Sequence, residues 1–324
     1  MKLKALEETI IDFEPKSGNI IKEVLAGLSL SQKTIDAKFL YDKRGSEIFE
    51  EICRLPEYYP TRAESLILRR YSKDMAKIIG RDALIIEPGS GNGQKVRSIL
   101  RSLKQVRGYV PIEISRDILL RMTEELHEEF PELKVLPVCA DFTQDMDLPL
   151  TIDFQRGRKV IFFPGSTIGN FHPVDAISFL KKLGKLACND GGLLIGVDLK
   201  KDKKIFDLAY DDPSGITASF NLNLLERLNR EVAATFDLQN FDHEAFYNEE
   251  LGRVEMHLKS KVSQLVKVNQ TMFRFKEGET IHTECSYKYT VEEFCELCAK
   301  AKFQIKKTWM DPEKLFCVYY FEKE

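Results

Sequence analysis

The sequence predicts an α/β fold: an open, mostly parallel sheet with helices between its strands, interrupted by a second, α+β unit. Three observations predict it. The stretch Ala83–Arg97, ALIIEPGSGNGQKVR, runs from a short apolar strand through a glycine-dense turn into helical spacing, which is how a nucleotide-binding βα unit opens. Apolar runs of strand length then alternate with amphipathic helical stretches as far as Leu199, the pattern of a parallel sheet. Beyond Leu199 the alternation gives way to period-two patterning, then resumes as helix, strand, strand at the C-terminal end.

Taken in order, the start MKLKALEETIIDFEPKSG lacks the apolar stretch of a secretory signal, and a helix is expected over Ser17–Leu28. Phe39, Leu40, Ile48, Phe49, Ile52 and Leu55 form an apolar stripe. Pro56 and Pro60 bracket Glu57-Tyr58-Tyr59 and are expected to break the helix. Tyrosines held between prolines are rigid and can aim a hydroxyl into a site, although on these residues alone simple packing between helices is the favoured reading. An amphipathic helix follows over Arg62–Ile79.

The first strand, Ala83–Ile86, is closed by Glu87 and followed by Gly89-Ser90-Gly91-Asn92-Gly93. Glycines here permit positive φ and close approach of a ligand. The dinucleotide fingerprint fails, because Gln94 stands at its third glycine position, and no phosphate-cradling G-x-x-x-x-G-K-[ST] run is present. E-x-G-x-G suits a nucleoside without a pyrophosphate, since Glu87 is expected to repel phosphates. The second strand, Tyr109–Ile114, carries Glu113, an acid placed to bind a ribose diol. After a helix over Asp117–Glu129, the third strand, Lys134–Cys139, leads to Asp141 and Phe142, which can accept from an adenine amino group and stack on its ring. The fourth strand, Lys159–Phe163, opens into Pro164–Phe171, expected to face the site because ligands bind at the carboxyl ends of such strands. The fifth is Gly192–Asp198.

In the second unit, helical spacing around Tyr210 and over Thr217–Asn223 precedes strands at Arg253–Val262, Ser263–Phe275 and Glu279–Tyr289, with Lys276-Glu277-Gly278 as a hairpin turn. Glu284 and Ser286 are two apart and share a strand face, with His282 and Lys288 expected on the same face. A carboxylate beside a hydroxyl can grip the two ring nitrogens of an imidazole, whereas an apolar ring would leave Glu284 desolvated and unpaired. A helix, Thr290–Ala301, and strands Phe303–Met310 and Leu315–Phe321 complete the chain.

A net charge of −3 offers no broad basic surface for nucleic acid, and no apolar run approaches the roughly 18 residues of a membrane span. Seven cysteines, an odd number, fit free thiols in a reducing cytoplasm. Cys295 and Cys298 form C-E-L-C, but they share helical spacing with Val291 and Phe294, so they are expected to line an apolar face rather than bind a metal.

E-x-G-x-G after a first strand resembles motif I of the class I S-adenosylmethionine methyltransferases, whose sheet also ends in a hairpin. More specifically, FLYDKRGSEIFEEICRLPEYYPTRAE, EPGSGNGQK, ADF, FPGSTIGN, AYDDPSGITASFN, RVEM and TECSYKY, spread over nearly the whole chain, resemble the histidine Nα-methyltransferases of ergothioneine biosynthesis. That family is related to fungal amino-acid N-methyltransferases. The resemblance implies a class I, Rossmann-like methyltransferase domain over 62–199 and 290–324. It implies a substrate-binding domain over 1–61 and 200–289, with the site between them. It places cofactor contacts on Gly89, Lys95, Glu113, Asp141 and Phe142, with Gly91 in the same turn, and substrate contacts on Tyr41, Tyr58, Gly165, Asn170, Tyr210, Met256, Glu284 and Ser286. Tyr41 and the Gly165 carbonyl are the groups expected to aim the amine. The implied reaction moves methyl groups from S-adenosylmethionine to the α-amine of histidine, up to the trimethylated betaine hercynine, in the cytoplasm and without a metal. The expected partner is a small molecule, not nucleic acid or a membrane. The chain departs from the family at Glu113, where an Asp is usual, and after Gly91, where Asn-Gly-Gln replaces a Thr-Ser-Glu type of run. Two alternatives stay open: methylation of another free amino acid, such as a tryptophan derivative, and cofactor binding without turnover.

Overall fold

The computed structural model describes residues 10–13, 20–144, 148, 154, 157–188 and 190–324; the 17–19 portion of the first expected helix lies outside them. The elements run β1 (Ile11–Asp12), α1 (Ile20–Leu28), β2 (Lys33–Thr34), α2 (Lys43–Ile52), α3 (Tyr59–Ile79), β3 (Ala83–Pro88), α4 (Gln94–Leu100), β4 (Val106–Glu113), α5 (Arg116–Glu129), β5 (Val138–Cys139), β6 (Lys159–Phe163), α6 (Pro173–Ala187) and β7 (Gly192–Asp198). They continue α7 (Lys203–Tyr210), α8 (Ile216–Glu231), β8 (Phe241–Asn248), β9 (Arg253–Ser260), β10 (Gln264–Val268), β11 (Thr271–Phe275), β12 (Thr280–Tyr287), α9 (Val291–Lys300), β13 (Phe303–Met310) and β14 (Phe316–Lys323).

Apolar runs buried on both faces make the large sheet. Leu84, Ile86, Ile161, Phe163, Leu193 and Ile195 pack on one side, and Ala83, Ile85, Val160, Phe162 and Leu194 on the other. Its order is β1-β5-β4-β3-β6-β7-β14-β13. Strands β5, β4, β3, β6 and β7 are parallel, and β14 runs antiparallel to β7 and to β13. The expected parallel sheet with a terminal hairpin is present. Parallel strands covered on both faces need no polar alternation, which is why they read so clearly. One assignment changes: Ile11–Asp12, expected with the substrate domain, pairs with Val138–Cys139 at the edge of the large sheet. Two residues carry no pattern that could have shown it.

A smaller sheet has the order β2-β12-β9-β8. One face of it packs on α7 and α8 through Phe206, Phe220, Leu224, Val254, Met256 and Leu258. Three expectations are corrected. Ser263–Phe275 is two strands, because Asn269 takes φ 53° and folds β10 back on β11; asparagine tolerates that conformation better than most residues. The Lys276-Glu277-Gly278 turn joins β11 to β12, which lie in different sheets, so it is a corner rather than a hairpin. Pro60 sits in the first turn of α3, where it starts a helix instead of breaking one.

The fourth difference shapes the site. Within β12 the register slips between His282, which faces His257, and Glu284, which faces Met256. Thr283 is the extra residue; its hydroxyl donates to Asn221 Oδ1 at 2.7 Å and sits 3.0 Å from the Met256 carbonyl. A bulge of one residue reverses the side-chain alternation. His282 therefore points away from Glu284, where period-two spacing had placed both on one face.

Candidate active site

The glycine turn after β3 takes the predicted shape, with φ of 67°, 52° and 66° at Gly89, Gly91 and Gly93. A Cβ on Gly89 would lie 3.1 Å from the Phe142 ring, so Phe142 covers the turn. That ring is itself held by Phe163 and Phe179, at centroid distances of 5.9 and 5.8 Å. Glu113, ending β4, accepts from the Gly91 amide at 3.0 Å and the Ser115 amide at 3.1 Å, one bond per oxygen. Each carboxylate oxygen keeps a lone pair for a diol. Burial raises the Glu113 pKa above the ordinary value, with the backbone donors opposing it. One oxygen of Asp141 is taken by the Thr143 amide and hydroxyl at 2.9 and 2.6 Å, fixing the carboxylate at the end of β5.

Glu87 behaves differently from expectation. It is 1% exposed and accepts from the Tyr109 hydroxyl. Burial pushes its pKa up to about 8, against that hydrogen bond. At neutral pH it is mostly uncharged, so phosphate repulsion is not its role. It is a buried polar tie between β3 and β4.

Lys95 and Gly165, predicted for opposite sides of the site, are neighbours. A Cβ on Gly165 would lie 3.0 Å from Lys95 Nζ. Glu64 on α3 joins them: it takes Lys95 Nζ at 2.7 Å and accepts from the Gly165 amide at 2.8 Å. Burial opposes the Lys95 charge, but the Glu64 carboxylate outweighs it and the pKa is raised. Glu64 was not singled out as a site residue. A lone acid on an amphipathic helix reads as solvated surface, yet this one is 1% exposed.

The expected substrate residues come from the loops before α2 and α3, the turn after β6, the end of α7, and strands β9 and β12. Tyr41 packs edge-on against Phe49 and Phe220 at 5.5 and 5.4 Å, and Tyr58 against Phe49 and Tyr210 at 6.2 and 6.1 Å. Burial first, with the Glu284 carboxylate next for Tyr41 and Tyr210 next for Tyr58, holds both hydroxyls well above their ordinary pKa. Tyr210, ending α7, donates to Ser286 Oγ at 3.1 Å. Met256 lies across the strand pair from Glu284. The turn holding Asn170 lies against β12: a Cβ on Gly169 would meet the Tyr287 carbonyl at 2.7 Å and Ser286 Oγ at 3.4 Å. Glu284 is the outstanding group. Burial raises its pKa to about 7, opposed by Lys288, and its Oε2 is buried without a hydrogen-bond partner among the described residues. An orphaned buried carboxylate oxygen costs free energy unless a ligand completes it. Phe142 lies at the glycine turn, against Gly89, and Asp141 precedes it.

Beneath it lies a polar cluster that sequence reasoning missed. Asp198, at the end of β7, is fully buried. It accepts from Tyr59 Oη at 2.8 Å, Lys201 Nζ at 2.5 Å and Lys288 Nζ at 2.7 Å. Burial opposes the Asp198 charge, and the two ammonium groups, Lys288 first, hold its pKa low. Lys201 is depressed to about 8 by burial. On the sheet's other face Glu255, His257 and His282 bring potential metal ligands within 4.8 Å of one another. The two imidazoles stack at 4.8 Å and 17°, so their lone pairs lie in nearly parallel planes, and Arg253 already holds Glu255 at 2.8 Å. C-E-L-C lies on α9, with Cys298 buried beside Phe294 and Leu297, as expected for an apolar face.

Fold and site are those of an α/β protein in which a glycine turn with strand-end acids adjoins a group of buried polar side chains, an arrangement able to take a nucleoside and a small polar molecule. Residues 20–323 match the histidine-specific, S-adenosylmethionine-dependent methyltransferases. The chain is 36% identical over 297 residues to the histidine N-alpha-methyltransferase of Mycolicibacterium smegmatis, covering 90% of this chain and 91% of that one. It is 36% identical to the protein of the same name from Mycobacterium tuberculosis, over 90% of each. It is 27% identical to an L-tryptophan methyltransferase of Psilocybe serbica, over 88% of this chain and 87% of that one. The chain belongs to the histidine-specific, S-adenosylmethionine-dependent methyltransferase family.

Proposed function

We propose that this chain transfers methyl groups to the α-amine of L-histidine, repeatedly, up to hercynine. The observation that carries the reading is the orphaned Glu284 oxygen beside Ser286. An imidazole N–H supplies the missing donor, and its other nitrogen meets the hydroxyl. The named activity of the two 36% relatives supports the same substrate.

Gly89, Gly91, Lys95, Glu113, Asp141 and Phe142 hold S-adenosylmethionine in this reading. The glycine turn leaves room, Glu113 meets the diol, and Asp141 and Phe142 take the adenine. Bound there, S-adenosylmethionine supplies an electrophilic sulfonium methyl. Tyr41, Tyr58, Asn170 and Tyr210 hold the amino acid by neutral hydrogen bonds, while Met256 packs beside the ring. Tyr41 and the Gly165 carbonyl aim the amine lone pair, and orientation is the main contribution. The α-amine passes its proton to water before each attack, because burial keeps the Tyr41 and Tyr58 hydroxyls protonated and unfit as bases. A carbon–nitrogen bond forms as the carbon–sulfur bond breaks. Repetition ends at the quaternary nitrogen, which has no lone pair. An amine nucleophile and a sulfonium leaving group need no metal.

We read 62–199 with 290–324 as the methyltransferase part and most of the remainder as the substrate part. We place the protein in the cytoplasm, where its seven free thiols fit. Among the described residues no helix is long and apolar enough to cross a membrane. The test is mass spectrometry of histidine incubated with the protein and S-adenosylmethionine. Gain of three methyl groups is expected, and accumulation of a monomethyl product alone contradicts the trimethylation.

A further inference from the structure

We propose that Lys288 is a positioning residue that sets the polarity of the substrate site and, through it, the tautomer of the ring accepted there. The inference rests on the histidine reading above. Lys288 is 2% exposed, and all three of its N–H groups are used. They reach Asp198 Oδ2 at 2.7 Å, Tyr210 Oη at 2.8 Å and Ser286 Oγ at 2.9 Å. An ammonium has no lone pair, so both hydroxyl oxygens must accept from it. Asp198, also held by Lys201 and Tyr59, fixes the ammonium in place.

The consequence falls on Ser286. Its oxygen accepts from Lys288 and, at 3.1 Å, from Tyr210. Both lone pairs are then occupied, and only its proton remains to offer. Glu284, two residues earlier on the same face, offers an acceptor when ionised. The site therefore presents one donor and one acceptor in a fixed order. A neutral imidazole with its lone pair toward Ser286 and its N–H toward Glu284 satisfies both. The other tautomer and the imidazolium each set an N–H against the Ser286 O–H. An indole has no ring lone pair for Ser286 and leaves its proton unused. Lys288 thus acts on specificity without touching the substrate.

The test is a double-mutant cycle of Lys288→Met and Ser286→Ala, read as KM for histidine and kcat, with S-adenosylhomocysteine affinity reporting the fold. Each single change is expected to raise KM for histidine at least about tenfold. The double variant should add no more than about threefold to Ser286→Ala alone, and S-adenosylhomocysteine affinity should stay within about threefold. Effects that multiply overturn the inference, because Lys288 then acts by another route. If Lys288→Met loses S-adenosylhomocysteine binding, Ser286→Ala decides through two ring analogues. Thiazolylalanine has a lone pair and no N–H; pyrrolylalanine has an N–H and no lone pair. Ser286→Ala should weaken inhibition by the first about tenfold or more and leave the second within about twofold. Equal loss, or the reverse order, overturns the inference. A native protein that binds S-adenosylmethionine but does not methylate histidine refutes the histidine reading itself; activity on histidine with multiplying effects refutes only the role of Lys288.

Discussion

Glu284 and Glu87 are both carboxyls that the fold buries, and both are raised, to about 7 and about 8, chiefly by burial. They differ in what completes them. Tyr109 donates to Glu87, so its demand is met within the protein. Glu284 keeps a buried oxygen without a partner among the described residues, which fits a ligand group rather than a structural tie. The raised Glu87 pKa has a consequence for stability. The fold accommodates its protonated form, so its contribution is full below about pH 4.3, where the unfolded carboxyl is also protonated, and is lost as pH rises through about 8. At about 1.4 kcal/mol per pH unit, the loss is on the order of a few kcal/mol. Glu87→Gln removes this dependence while keeping an acceptor for Tyr109. The melting temperature of the variant minus that of the native protein should grow by several degrees from pH 5 to pH 8.5; a constant difference contradicts a raised Glu87.

At the scale of elements, what was legible depended on how each strand is covered. Strands β3, β6 and β7 were legible because apolar residues face both ways. Strand β8, Phe241–Asn248, was missed because only Phe241 and Tyr247 are buried in it, and its charged and half-exposed positions mask the period. Spacing put Glu284 and Ser286 on one face, and the structure agrees. The same spacing misplaced His282, because a bulge is set by tertiary partners. Asn221 is that partner: it accepts from Thr283 at 2.7 Å and donates to the His257 carbonyl at 3.0 Å. Asn221→Ala leaves the Thr283 hydroxyl only the Met256 carbonyl and takes a donor from the His257 carbonyl, and should cost about 1–2 kcal/mol in chemical denaturation. KM for histidine should rise as well, because the bulge aims Glu284. An unchanged KM contradicts that link between β12 geometry and the site.

Across the whole molecule, the site exists because two sheets bring their polar ends together. Glu64 ties the helix after the glycine turn to the loop after β6, and Asp198 at the end of β7 anchors Lys288 just past β12. These ties were not legible: a single Glu, Asp or Lys in a charged sequence reads as surface, and only the assembled chain shows it buried. The residues proposed for the cofactor could be named from the sequence because the glycine turn and the strand-end acids each lie close to one strand. The substrate side is built to recognise an imidazole in this reading. That recognition is tested most directly by kcat/KM over a panel of free amino acids, histidine and tryptophan included, for the native protein and for Glu284→Ala. Strong preference for histidine is expected, with a loss of about a hundredfold or more on histidine in the variant and tryptophan turnover unchanged or raised. Equal losses on both substrates, or native preference for tryptophan, would contradict it.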